Sequence, residues 1–120
     1  MTVESGFLGQ SDPESIRKIE EGVRNLMQHL KMIPGEPRRV ENPVWLDPTQ
    51  VITSEATGIF KPSVERGHSV AKGTLLGIVT DFFGQTVFEV RAPFAGIVLY
   101  IVATPPVSKG EPLAMIGTPK

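Results

Sequence analysis

At 120 residues the chain has the length of one domain, or of one small domain with an element attached. Twelve basic and 13 acidic residues leave a formal net charge of −1, which gives no electrostatic footing for nucleic acid or an anionic membrane as partner. Cysteine is absent, so disulfides and thiolate metal ligands are excluded, and a cytoplasmic location is the expectation.

Taken in chain order, the first ten residues lack the basic and apolar regions of a signal peptide, and no apolar run is long enough to span a membrane. A short β-like piece, Thr2-Val3, ends at Glu4. Ser11 and Glu14 then have the spacing of a capping box, with Pro13 in the first turn, where its missing N–H costs nothing. Apolar residues recur at Ile16, Ile19, Val23, Leu26, Leu30 and Ile33 in steps of three and four. This spacing predicts an amphipathic helix whose apolar stripe must be buried against something. Pro34-Gly35 is expected to end it. From Glu36 to Pro48 the prolines predict an extended linker, with Val44-Trp45-Leu46 as a docking cluster. Arg38-Arg39, followed by Glu41, reads as solvated surface. The expected divisions are therefore 1–35, a linker at 36–50, and a β domain at 51–120.

The β domain is predicted from short strand-like runs at 51–54, 57–61, 75–79, 86–91, 96–102 and 113–116, separated by turn signals. An internal repeat runs through them. Gly58-Ile59-Phe60 opens one half, which closes with Val70-Ala71-Lys72-Gly73, Leu76 and Val79. Gly96-Ile97-Val98 opens the other, which closes with Val107-Ser108-Lys109-Gly110, Leu113 and Ile116. From each V-x-K-G glycine the next apolar anchors fall at +3 and +6. Each half alone is too small to bury a stable core, so the two are expected to cover each other. The glycines are expected at positive φ, with the lysine before each turned outward.

This repeat resembles the lipoyl/biotinyl barrel-sandwich hybrid, so the predicted fold class is mainly β, with a barrel-sandwich at 52–117 preceded by one amphipathic helix. In carriers of that fold a lysine at the tip of the central hairpin takes the prosthetic group. The corresponding stretch here is Thr80-Asp81-Phe82-Phe83-Gly84-Gln85-Thr86, with Phe82 in the lysine's place. Lys61, Lys72 and Lys109 lie away from it. A carrier role is not expected.

A wider set of runs carries a more specific resemblance. They are Thr2-Val3-Glu4, Leu30-Lys31-Met32-Ile33-Pro34-Gly35, Ser54-Glu55-Ala56-Thr57-Gly58-Ile59-Phe60, Val64-Glu65-Arg66-Gly67, Gly73-x-x-x-Gly77, Asp81-Phe82-Phe83-Gly84 and Arg91-Ala92-Pro93. Their order and spacing resemble the C-terminal part of the succinylglutamate desuccinylase/aspartoacylase family, zinc-dependent amide hydrolases related to the zinc carboxypeptidases. The resemblance implies that 1–35 is the end of a catalytic domain, and that Glu4 is the catalytic glutamate serving a zinc-bound water as general base and then donating the proton. It implies a small N-acyl amino acid as substrate.

The same family holds its zinc on an H-x-x-E pair and a later histidine. This chain has no such pair and only His29, on the helix flank, and His68, in an outer turn. No metal ligands are assigned and no cofactor is expected in the chain itself; zinc belongs to the full-length family. The expected function is therefore a C-terminal fragment of a zinc-dependent amide hydrolase, inactive alone. Its partner would be the missing catalytic domain, or a second copy through the helix stripe. Phe82 and Phe83, apolar where tips are polar, are candidate docking or substrate-channel residues, and Glu55 is a candidate for the same rim. The alternative is a non-catalytic barrel-sandwich interaction or adaptor module.

Overall fold

The structure is a computed structural model that describes residues 5–6 and 12–120. The described chain falls into two compact units, divided between Pro43 and Val44.

The first unit holds helix α1, Pro13–His29. Its N-cap is Asp12, whose carboxylate accepts from the Ser15 N–H at 2.9 Å, and Pro13 occupies the first helical position. Of the expected capping box, Ser11 lies outside the described residues. The helix stops earlier than Pro34-Gly35. Lys31 N–H donates to the Gln28 carbonyl at 3.0 Å and Met32 N–H to the Met27 carbonyl at 2.8 Å, which closes the last turn around Lys31 at φ 57°. A lysine at a position that favours glycine hid this stop from the sequence, and it leaves Ile33 beyond the helix. The stripe is open: Ile16, Ile19, Val23, Leu26 and Leu30 are 42–58% exposed. Beyond the helix, the Asn25 side chain accepts from the Arg38 N–H and donates to the Arg38 carbonyl, pinning this stretch to α1.

The second unit is mainly β, with one four-stranded antiparallel sheet in the order β1-β8-β6-β3 and another in the order β5-β4-β2-β7. The strands are β1 Leu46–Thr53, β2 Gly58–Pro62, β3 Ser69–Val70, β4 Leu75–Thr80, β5 Thr86–Arg91, β6 Gly96–Ile101, β7 Pro106–Val107 and β8 Pro112–Pro119. β1 begins at Leu46, inside the stretch expected as linker, despite Pro48. It can do so because β1 is an edge strand and its pairing with β8 is irregular between Leu46 and Thr49, so no ladder hydrogen bond is needed from the proline. The two-residue strands β3 and β7 escape sequence reading because each is too short to show a period.

The repeat governs this topology. Advancing every strand number by four turns the order β1-β8-β6-β3 into β5-β4-β2-β7 and back again. The short strands are exchanged: β3 of the first half pairs with β6 of the second, and β7 of the second pairs with β2 of the first. Hydrogen bonds repeat as well. Gly73 N–H donates to the Ala92 carbonyl at 2.8 Å, and Ala92 N–H to the Thr74 carbonyl at 2.9 Å. Their counterparts run from Gly110 N–H to the Ser54 carbonyl at 2.8 Å and from Ser54 N–H to the Glu111 carbonyl at 2.9 Å. Gly73 and Gly110 have φ 83° and 91°, and Lys72 and Lys109 before them are exposed, as the repeat predicts. One core serves both sheets. Leu76 and Val79 from the first half, Leu113 and Ile116 from the second, and Val90 and Val98 are each fully buried.

Candidate functional site

The β4–β5 hairpin carries the most unusual surface of the second unit. Its tip, residues 81–85, is organised by Asp81. One carboxylate oxygen, Oδ1, accepts from the Phe83 N–H and from the Gln85 N–H, both at 2.9 Å. The Asp81 N–H donates to the Gln85 carbonyl at 2.8 Å, and the Gly84 N–H to the Asp81 carbonyl at 3.2 Å. Gly84 takes φ 90°, which a side chain would resist. An aspartate that accepts from backbone N–H groups two and four residues on fixes a turn that the sequence would otherwise leave loose. The two rings are held outside it. Phe82 is 77% exposed and Phe83 93%, so neither folds back onto the sheets.

Glu55, also exposed, lies in the connection from β1 to β2. In register, Ile59 of β2 faces Thr80 at the end of β4, so this connection and the tip emerge at the same end of the unit. Lys109 N–H donates to Thr57 Oγ1 at 3.1 Å, tying the β7–β8 turn to that end too. The structure thus brings Glu55 and the Phe82-Phe83 tip to one end of the β unit. Glu4 lies outside the described residues. There is no lysine in the 81–85 tip. Trp45, expected to dock with Val44 and Leu46, is 71% exposed ahead of β1.

Among the described residues the donors do not fit zinc. His29 is exposed in the last turn of α1. His68 is exposed in the turn after β2, where its Nδ1 accepts from the Glu65 N–H at 3.3 Å. Among the described residues no group of three His, Asp or Glu side chains converges at metal-binding spacing. In the first unit, Asn25, Leu26, His29, Pro37, Arg38 and Arg39 line a shallow depression open to solvent.

Among the described residues, two carboxylates have displaced acidities, both at the start of α1. Hydrogen bonding from Ser15 holds Asp12 below its ordinary 3.8, and Lys18, by hydrogen bond and charge, holds Glu14 below its ordinary 4.5. These belong to helix capping and an i,i+4 pair on an exposed surface, the Lys18–Glu14 contact being 2.7 Å.

No family model matches the chain. Individual proteins do. The chain is 29% identical to the N-alpha-acetyl-L-2,4-diaminobutyric acid deacetylase of Halomonas elongata, across 98% of this chain and 36% of that protein. It superposes on the product-bound ectoine utilization protein EutE (DoeB) of Ruegeria pomeroyi with a TM-score of 0.81 and 30% identity, over 92% of this chain and 35% of that one. A succinylglutamate desuccinylase from Silicibacter sp. TM1040 gives a TM-score of 0.80 at 25% identity, over 93% and 35%. The neighbours point to the succinylglutamate desuccinylase/aspartoacylase family. The match runs through both units, and the chain spans only about a third of the length of these relatives. The hydrolase and deacylase expectations agree with the names those relatives carry. No helix among the described residues is long and apolar enough to cross a membrane.

Proposed function

We propose that this chain is the C-terminal portion of a zinc-dependent amide hydrolase of the succinylglutamate desuccinylase/aspartoacylase family, one that removes an acyl group from a small N-acyl amino acid. The observation that carries this reading is the match of nearly the whole chain to about a third of several deacylases, at one consistent coverage. Zinc would be held by residues outside this chain, since the donors described here do not converge on a metal site. Within the chain, Glu4 is the residue for proton transfer: a carboxylate is an acceptor that can take a proton from an attacking water and return it to the leaving amine. The two-sheet unit is a barrel-sandwich of lipoyl/biotinyl type that has lost carrier chemistry, with Phe82 where the modified lysine would stand. Phe82, Phe83 and Glu55 border the path to the substrate or the contact with the catalytic portion, and the protein works in the cytoplasm. The open stripe of α1 packs on that same portion or on a second copy.

Sequencing the coding DNA upstream of the Met1 codon tests the reading. An in-frame H-x-x-E pair and a later histidine, running without a stop into Thr2-Val3-Glu4, is the expected result. A stop codon there, with no neighbouring gene supplying the ligands, would sink it. The second reading, a non-catalytic interaction module, would then stand on the exposed apolar surfaces of α1 and the hairpin tip. A direct assay adds to this: the purified 120-residue chain, supplied with zinc, is expected to release no acetate from N-acetylated diaminobutyrate. Turnover by the chain alone would contradict the fragment reading.

A further inference from the structure

The halves of the β unit, β1–β4 and β5–β8, are joined covalently only through the 81–85 tip. Four ladders hold them together: β1 with β8, β2 with β7, β3 with β6 and β4 with β5. The core is shared between them as well. If the tip opened, each of these contacts would be available from the complementary half of a second copy, and only the conformation of 81–85 would differ. Swapping of this kind is a ready route to dimers, because the interface already exists within one chain.

The residues of the tip fit what would replace the turn. Thr80 faces Thr86 at the end of the β4–β5 ladder, and the Asp81 N–H donates to the Gln85 carbonyl at 2.8 Å. Opened and continued in that register against the same segment of a second copy, the two strands cross at a twofold axis through Phe83. Asp81 then faces Gln85 of the other copy, Phe82 faces its Gly84, and Phe83 faces Phe83. Each pairing suits an antiparallel ladder: a carboxylate opposite an amide, an aromatic ring over a glycine, and an aromatic pair at the axis. The closed tip leaves the same rings 77% and 93% exposed. We propose that the β unit swaps halves between two copies of this chain, with 81–85 as the hinge.

Asp81 is the latch of the closed form. Its Oδ1 accepts from the Phe83 and Gln85 N–H groups, and Gly84 at φ 90° completes the turn; opening gives up both features. Neither half has a closed set of strands alone, so opening requires the unit to come apart. Closed and swapped forms therefore interconvert only as fast as the unit unfolds. Two closed copies meeting at their tips would bury the paired rings and little else, less than a stable specific interface needs. The inference goes beyond the hydrolase reading and does not rest on it.

The test unfolds the 120-residue chain in guanidinium, refolds it once dilute and once concentrated, and measures mass by light scattering on a sizing column. The concentrated sample is expected to contain a species of twice the chain's mass that persists when diluted in native buffer. The chain has no cysteine, so Val51→Cys/Met115→Cys reports which copy each half comes from, the two positions facing each other across β1 and β8. After oxidation by glutathione disulfide, the dimer fraction should run at twice the chain's mass on a non-reducing denaturing gel, and the monomer fraction at the single mass. Single-chain mass from the dimer fraction overturns the proposal, as does a chain that refolds to monomer at every concentration. Phe83→Asp sets like charges face to face at the axis and is expected to lose the dimer, with the monomer's melting temperature unchanged. An undiminished dimer fraction in that variant also overturns the proposal. Should the cysteine pair prevent folding, the refolding of the parent chain and of Phe83→Asp decides. None of these outcomes bears on the hydrolase reading, which the upstream coding sequence tests.

Discussion

Lys31 sits in the left-handed region at φ 57°, where a side chain crowds its own backbone and glycine does not. Lys31 is exposed, and no hydrogen bond or ion pair of its side chain is found among the described residues. Lys31→Gly should therefore stabilise the end of α1 by about 0.5–1 kcal/mol, read as a higher midpoint for loss of the helical circular-dichroism signal. Gly96 is the opposite case. A Cβ there would lie 2.5 Å from the Gly117 carbonyl oxygen and 2.8 Å from Ile116 Cγ2, and the backbone atom cannot move aside. Gly96→Ala should cost about 1–3 kcal/mol in chemical denaturation of the β unit. Its repeat partner Gly58 meets the Thr80 carbonyl in the same manner. At this scale the sequence was informative wherever a residue type is tied to one geometry, as with Gly73 and Gly110. It was silent where the residue works against its preference, as at Lys31, and where one side chain organises several neighbours, as Asp81 does.

Among the elements, α1 has a stability that should follow pH. Asp12 and Glu14 are both held below their ordinary values, so their folded pKa values lie beneath the unfolded ones. The sign follows from that. Their contribution is complete above about pH 4.5, the higher of the two ordinary values, and is lost as pH falls through the depressed folded values. Helical ellipticity followed from pH 6 to pH 2 should hold and then decline, and Asp12→Asn should flatten part of that decline by capping without a titratable group. Ellipticity that rises on acidification would contradict the assigned cap. The helix and its apolar stripe were legible from spacing alone, because a 3.6-residue period leaves a strong trace over 17 residues. The four strands β2, β4, β5 and β6 came within a residue of their predicted ends for the complementary reason. β1 was cut short in the reading because its proline looks like a terminator until its place at a sheet edge is known. The candidate site was legible in part. Phe82-Phe83 stood out as apolar at a turn, while its alignment with Glu55 at one end of the β unit needed the strand register.

For the whole molecule, the repeat carries more than symmetry. Because β3 and β7 are exchanged between the halves, each sheet is completed by the other half, and neither half has a closed set of strands to fold around. The repeat was visible as V-x-K-G and its anchors, yet the exchange was not, since pairing between sequence-distant strands leaves no local signal. The same arrangement fixes where the unit begins and ends. β1 pairs with β8, Leu46 facing Pro119, and the Lys120 N–H donates to the Trp45 carbonyl at 2.9 Å. Under the fourfold shift of strand numbers, that β1–β8 pairing is the counterpart of the β5–β4 hairpin. The unit is thus close to a ring of chain with one seam. Closing the seam with a short linker and opening the loop between Phe83 and Gly84 would give a circular permutant with the same two sheets, in which the halves trade order and the aromatic tip becomes the pair of free ends.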